Sequence, residues 1–278
     1  MASMSDEQVG FEYAEVSVII PCYNCEQVIA RAIDSVFKQT LRPAEVLLVN
    51  DKSTDGSLQL LHTLMDKYPK GWIKVISLEK NVGAASARNR GWQQATRKYV
   101  AFLDADDSWH PNKISIQYRW MLENDQVSFT AHASVVHLSN VYKELCSASF
   151  RKVGKKSLLI SNIFPTSSVM LKKDLAFRFP EGRRFSEDYY LWLNIILADN
   201  KCFFSDATLA YSYRAGFTAG GLSGDLWAME KGELNNYWDM YKSKLIGLDF
   251  LIYSFVSFVK YCKRVIAVRL MKRVVCKS

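Results

Sequence analysis

Two hydrophobic periods alternate along the first 110 residues. Apolar runs of strand length recur at Val16–Ile20, Glu45–Val49, Ile73–Ile76 and Tyr99–Leu103, each bounded by turn residues. Between them, apolar side chains fall at helical spacing. They are Val28, Ile29, Ala32, Ile33 and Val36, and then Leu58, Leu60, Leu61, Leu64 and Met65. A third helix is entered from the small-residue loop Asn81 to Ala87 and runs from Arg88 to Ala95. Strands alternating with helices at this spacing predict βαβ units and a mostly parallel sheet. Beyond Trp109 the rhythm changes. Asn112–Glu123 reads as a helix, Val127–Ala131 and Val135–Leu138 as short strands, and Ser167–Leu171 as another strand. Val141–Lys156 has little periodicity and reads as a loop. A further helix opens at Glu187, with Tyr189, Trp192, Leu193 and Ile196 as its buried stripe.

The polar loops all follow strands: Tyr23-Asn24, Asn50-Asp51, Asn81 to Arg88, and Asp104-Ala105-Asp106. Right-handed crossovers place such loops along one sheet edge, where a ligand lies. At the fourth strand an apolar run stops at three carboxylates within four residues, Asp104, Asp106 and Asp107. Crowded carboxylates tolerate one another best around a cation, and oxygen-only ligands suit Mg2+ or Mn2+. The plainer alternative is a solvated turn with Asp107 or Ser108 as the cap of the next helix. No Gly-x-Gly-x-x-Gly follows the first strand and no Gly-Lys-Ser/Thr loop occurs. Bound phosphates would therefore be neutralised by a metal and Arg, and the mixed edge suits a nucleotide diphosphate.

Composition adds three bounds. Length, 278 residues, and 49% hydrophobic content allow one large α/β domain with or without an appendage. Met1 to Gly10 is polar, has no apolar h-region, and reads as a loose terminus rather than a signal peptide. The net charge is +8, yet Lys244 to Ser278 alone carries eight Lys or Arg against the one acid Asp249. A nearly neutral body with a basic, aromatic tail points to a membrane surface rather than to nucleic acid. Its apolar run, Phe250–Val259, is too short to span a bilayer. As a helix it puts Phe255, Phe258, Val259, Cys262, Val265 and Ile266 on one face and Lys260, Lys263 and Arg264 on the other. The alternative is a terminal helix packed on the body. Cys22 and Cys25 form a lone CxxC without a second pair, which argues against zinc and for reduced thiols.

Four blocks carry a resemblance. Val18-Ile19-Ile20-Pro21-Cys22-Tyr23-Asn24, Val49-Asn50-Asp51-Lys52-Ser53-Thr54-Asp55-Gly56-Ser57, Asn81-Val82-Gly83-Ala84-Ala85-Ser86-Ala87-Arg88-Asn89 and Phe102-Leu103-Asp104-Ala105-Asp106-Asp107 occur in order. Together they resemble the signature of family 2 glycosyltransferases over about residues 15–225. The resemblance implies a GT-A fold, a Rossmann-like, mixed and mostly parallel α/β sheet with flanking helices, here followed by an amphipathic helical tail. It implies inverting transfer from a UDP-sugar with Mn2+ or Mg2+, of the bacterial surface-polysaccharide type.

Carried over residue by residue, Pro21, Tyr23 and Asn24 wall the nucleobase pocket. Asp51 accepts from the uracil N–H, and Arg88 lies beside the nucleotide. Asp104 faces the ribose or the metal shell, and Asp106 is the metal ligand. Asp55 reads as a residue that shapes its turn. Phe185-Ser186-Glu187-Asp188-Tyr189-Tyr190-Leu191-Trp192-Leu193 resembles the family's Glu-Asp block, in which Asp188 is the general base and Glu187 orients the acceptor or the loop. Paired acids in a first helical turn also complement the helix dipole, which alone would account for their charge. The stretch after Tyr213 has four glycines within nine residues, and resembles a segment that closes over the diphosphate, with Arg214 and Ser223 as its contacts.

The expected division is a flexible terminus at 1–14, a nucleotide-sugar half at 15–110, an acceptor half with the base at 111–243, and a membrane-associating tail at 244–278. The expected acceptor is a lipid-linked oligosaccharide, or a lipopolysaccharide or capsule precursor, at the inner face of the cytoplasmic membrane. A sugar-nucleotide nucleotidyltransferase and a non-catalytic nucleotide-sugar-binding protein are the alternatives.

Overall fold

The computed structural model describes residues 13–136, 145, 147–213 and 224–275, the last five as backbone only. Most of the expected loose terminus, and the glycine-rich stretch with Arg214 and Ser223, lie outside the described residues.

The four expected strands form as β1 (Tyr13–Cys22), β2 (Arg42–Asn50), β3 (Ile73–Ser77) and β4 (Tyr99–Phe102), all parallel, in the order β3-β2-β1-β4. The helices between them are α1 (Ile29–Phe37), α2 (Ser57–Lys67) and α3 (Ala84–Gln94), and α4 (Lys113–Glu123) follows. Side chains that alternate along each strand divide into two apolar layers. Val18, Ile20, Val46, Leu48, Tyr99 and Ala101 meet α1, α2 and α4 on one face. Ile19, Leu47, Val49, Val100 and Phe102 meet α3 on the other. Burial on both faces explains why these strands read as continuous apolar runs. At Gly91 the helix α3 rides so close to the sheet that a Cβ would come within 2.5 Å of Ile19 Cγ2.

The sheet continues from β4 through β8 (Met170–Lys172), β6 (Phe129–Val136), β9 (Cys202–Ser212) and β5 (Asp107–Trp109), with β7 (Arg151–Lys152) on β9. The long ladders, including β6 with β9, are parallel, and the antiparallel pairings span two or three residues. The other face carries α5 (Lys155–Ile160), α6 (Glu187–Leu197) and α7 (Leu226–Lys242). The C-terminal helix is α8 (Phe250–Val275).

Several expectations are corrected here. One strand, β6, stands in place of the first and the start of the second short strands, because its pairing to β9 runs through two register shifts rather than a turn. The remainder of the second, 137–138, is outside the described residues. The run Ser167–Leu171 divides into a 3-10 turn, Thr166–Ser168, and β8. Pro165 before three hydroxyl residues favours that turn over a strand. Asp107 and Ser108 cap nothing: they pair with Ser212 and Tyr211, and Asn112 holds the cap position of α4. The stretch expected as a loop contains β7 and the start of α5, while 137–144 and 146 lie outside the described residues. Asp55 does shape its turn, accepting the Ser57 N–H at 3.0 Å. The two CxxC cysteines are buried free thiols.

Candidate active site

The carboxyl ends of β1 to β4 bring the first group of predicted residues to one edge. Tyr23 is half exposed beyond β1. Asn24, in a left-handed conformation at φ 45°, ties this loop to the next one: its Oδ1 accepts from Thr54 N–H at 2.9 Å, and its N–H donates to Ser53 Oγ at 3.2 Å. Asp51 is buried, and its two oxygens accept the N–H groups of Val82 and Gly83 at 2.7 and 2.8 Å. One carboxylate thus closes the entry of α3, at a glycine with φ 84°, and only its remaining lone pairs could serve a base. Pro21 stands at the end of β1, partly buried, where it pairs with Val49.

The centre of the arrangement is Arg88. Buried on α3, it donates to Asp104 Oδ1 at 2.6 Å and to Glu187 Oε1 at 3.2 Å. A guanidinium forks naturally between two carboxylates, so the acids after β4 and those opening α6 are held by one cation. The sequence reading set Arg88 beside the nucleotide; here it is the strut between the two acidic blocks. The 3-10 turn joins them a second time. Ser167 Oγ–H donates to Asp107 at 2.6 Å and Oγ accepts the Asp104 N–H at 3.2 Å, while Thr166 Oγ1 donates to Asp188 Oδ2 at 3.1 Å. Adjacent residues are only about 3.8 Å apart along the chain. Asp104, Asp107 and Asp188 therefore flank a single turn.

Thr166, Ser167 and Asn162, whose amide reaches Asp188 at 3.4 Å, were missed by sequence reasoning. The Pro-Thr-Ser-Ser run was the available signal.

Burial raises three of the carboxyls gathered here. Burial, with Asp104 and Asp106 nearby, pushes the Asp107 carboxyl up to about 7. Burial and then Asp188 push Glu187 up to about 7, with Arg88 opposing. Burial also raises Asp188, against its bonds from Tyr189 N–H and Thr166. The donor set at β4 is hard oxygen, and Asp104 remains about a third exposed. No cluster of three metal-ligating side chains exists among the described residues. One or two carboxylates completed by substrate phosphates is the usual form of a Mg2+ or Mn2+ nucleotide site, and Asp106 with Asp104 fits it.

The loop that leads into Glu187 and Asp188 is braced from behind by α7. Ser186 is buried at φ 54°, its carbonyl accepting from Asn236 Nδ2 at 2.9 Å and its hydroxyl donating to the Met229 carbonyl at 3.3 Å. Gly232 lets α7 approach, since a Cβ there would lie 2.8 Å from the Phe185 carbonyl oxygen. Gly232→Ala should therefore push the Phe185–Ser186 backbone away and cost about 1–3 kcal/mol. A thermal melt with an activity assay checks this, turnover falling along with the melting midpoint.

Comparison with known proteins gives the family and the fold. The family described as Glycosyl transferase family 2 matches residues 17–176. The Escherichia coli UDP-Glc:alpha-D-GlcNAc-diphosphoundecaprenol beta-1,3-glucosyltransferase WfgD is 33% identical over 187 residues, covering 66% of this chain and 71% of that protein. The crystal structure of S. aureus TarS 1–349 in complex with UDP-GlcNAc superimposes with a TM-score of 0.64 at 22% identity, covering 81% of this chain and 66% of that one. The mannosyltransferase PcManGT from Pyrobaculum calidifontis, in complex with GDP-Man and Mn2+, gives 0.65 at 16% identity, covering 95% and 80%. These two likenesses show the fold, a GT-A sheet with its flanking helices. With the family match spanning more than half of its length, the chain belongs to the family 2 glycosyltransferases.

Proposed function

We propose that this glycosyltransferase moves a sugar from a UDP-sugar to a hydroxyl of a lipid-linked oligosaccharide, or of a lipopolysaccharide or capsule precursor, by a single inverting displacement. The observation that carries the reading is the Arg88 strut, which ties Asp104, just after β4, to Glu187 beside Asp188 through one guanidinium. Tyr23 offers an exposed ring for the nucleobase, and Pro21, Asn24 and Asp51 are the residues proposed to complete that pocket. Asp106, with Asp104 beside it, would hold a divalent cation, and such an ion would supply positive charge to the departing diphosphate. Asp188 takes the proton of the acceptor hydroxyl as its oxygen bonds to the anomeric carbon and the bond to the UDP oxygen breaks. Arg214 and Ser223 are proposed as diphosphate contacts from sequence alone. A diphosphoundecaprenol-linked acceptor, named for WfgD, fits this scheme, and the inner face of the cytoplasmic membrane is the proposed place of transfer.

Incubation with Mn2+ and a panel of UDP-sugars tests the reading. Slow release of UDP and free sugar supports it. Pyrophosphate-dependent release of UTP would indicate a nucleotidyltransferase, and binding without turnover a non-catalytic protein.

The acidic pair also sets a pH dependence. Glu187 at about 7 stands above its ordinary 4.5, so the folded chain keeps a proton that the unfolded chain releases. The associated stability is full below about 4.5 and falls as pH rises through about 7. Burial raises Asp188 as well, and while it holds a proton of its own it cannot act as a base. The rate should therefore rise with pH as the Glu187-Asp188 pair loses its proton, and Glu187→Gln, which removes the like charge, should move the acid limb of kcat/KM to lower pH. A pH–rate profile showing no movement would contradict this.

A further inference from the structure

The C-terminal helix is mounted with its polar side inward. Buried Ser257 donates to the Glu230 carboxylate of α7, whose oxygens lie at 3.0 and 3.2 Å, and Glu230 is itself buried. Lys260 faces Glu233 at 3.6 Å, and the Tyr253 ring lies 6.2 Å from that of Tyr237. The opposite side carries Leu251, Ile252, Phe255, Val259, Ile266 and Leu270, all exposed. At about 100° per residue these six fall on one face, a stripe about 28 Å long. An exposed apolar stripe of that length marks an interaction surface.

Neighbouring features say what covers it. Trp227 and Trp238 are 54% and 44% exposed, and three turns apart they share one side of α7. Their rings border α8, Trp227 at 5.7 Å from Tyr261 and Trp238 at 5.7 Å from Phe250. Rings of this type suit the headgroup level of a bilayer. Lys263 and Arg269 are exposed on either side of the stripe. The segment from Lys244 carries +7 of the chain's +8. A second copy would bring like charges together, whereas an anionic lipid surface is complementary to them. Among the described residues no helix is long and apolar enough to cross a membrane.

We propose that α8 lies in the plane of an anionic bilayer, its stripe at the acyl boundary and Trp227 and Trp238 at the headgroups. The helix that carries these tryptophans also seats Ser186, so α7 is a fixed spacer between the lipid surface and Asp188. This deepens the proposed lipid-linked acceptor, but the surface itself is argued from α7, α8 and charge alone. Lipid binding and sugar transfer can therefore fail separately.

The test is flotation of the full chain with phosphatidylcholine vesicles, with and without phosphatidylglycerol. Binding should require phosphatidylglycerol, weaken with salt, and drop at least about tenfold in the Ile252→Glu/Phe255→Glu variant. Lys263→Glu/Arg269→Glu, which leaves the stripe intact, should weaken it about as much. UDP-sugar hydrolysis should be unchanged in both. The proposal is overturned if the wild-type chain ignores anionic vesicles, or if either variant binds them as well as wild type. A dimer in sedimentation that Ile252→Glu/Phe255→Glu dissolves, without vesicle binding, would assign the stripe to a second copy instead. Lost UDP release with vesicle binding kept would overturn only the active-site reading.

Discussion

Asp188→Asn should lower sugar transfer by about 10²–10⁴-fold, the usual worth of a positioned general base, while UDP and donor binding stay as in the wild type. The amide keeps the size of the carboxylate: its Oδ1 can still accept from Tyr189 N–H, and its Nδ2 can donate to the Thr166 hydroxyl in place of the bond it received, so the local fold has little reason to move. What it removes is the lone pair that accepts the acceptor proton. Asp188 touches none of the residues assigned to the nucleotide pocket directly: its hydrogen bonds run to Asn162, Thr166 and Tyr189. Isothermal titration with UDP and Mn2+, alongside an acceptor assay, separates the two effects. Equal loss of binding and transfer would refute the assignment of the base.

Arg88→Met should be the most destabilising single change at the site. The guanidinium is 6% exposed and Glu187 only 13%, so its removal leaves Asp104 and Glu187 without the cation that pairs with both among the described residues. Breaking a buried ion pair on one side costs about 3–5 kcal/mol, which at this chain length lowers the melting midpoint by on the order of 10 °C. The loss is pH-dependent in a defined direction. At acid pH the carboxylates of Glu187 and Asp188 take up protons, and the variant should approach wild-type stability there. Arg88→Lys should recover only part, since one ammonium cannot fork between Asp104 and Glu187 in the same geometry. Melts recorded from acid to neutral pH check all three statements. A variant as stable as wild type at neutral pH would mean that solvent, not Arg88, screens these acids.

The parallel half of the fold was legible because its strands are buried on both faces and its helices on one. β1, β2, β3 and β4 carry apolar runs with polar residues waiting at their ends, and nothing in the structure competes with that pattern. The second half was less legible for local reasons. β9 carries exposed Asp206 in mid-strand and pairs through shifted registers, so its alternation is broken. The inner side of α7 is Glu230, Gly232, Asn236, Tyr237 and Met240, a polar contact surface that carries no apolar stripe to read. α8 was legible as an amphipathic helix, but not which side faces the body: its polar side does, because Glu230 and Glu233 wait there.

At the site, the acidic blocks and Arg88 were visible as motifs. Their connection was not, because Arg88 and Glu187 stand 99 positions apart. Nor was the turn of Thr166 and Ser167, whose hydroxyls serve acids from two other elements. Asp51 illustrates the remaining difficulty. Its motif marked it for a base, and the fold also uses it to cap the loop before α3.

The most direct measurement of the central claim is a crystal structure of Asp188→Asn, which should not turn over, with Mn2+ and an intact UDP-sugar. The anomeric carbon should lie between the substituted side chain and the diphosphate, with the metal on Asp106 and the new amide on the face opposite the departing oxygen. A donor seated on another edge of the sheet, or that amide on the same side as the diphosphate, would contradict the account.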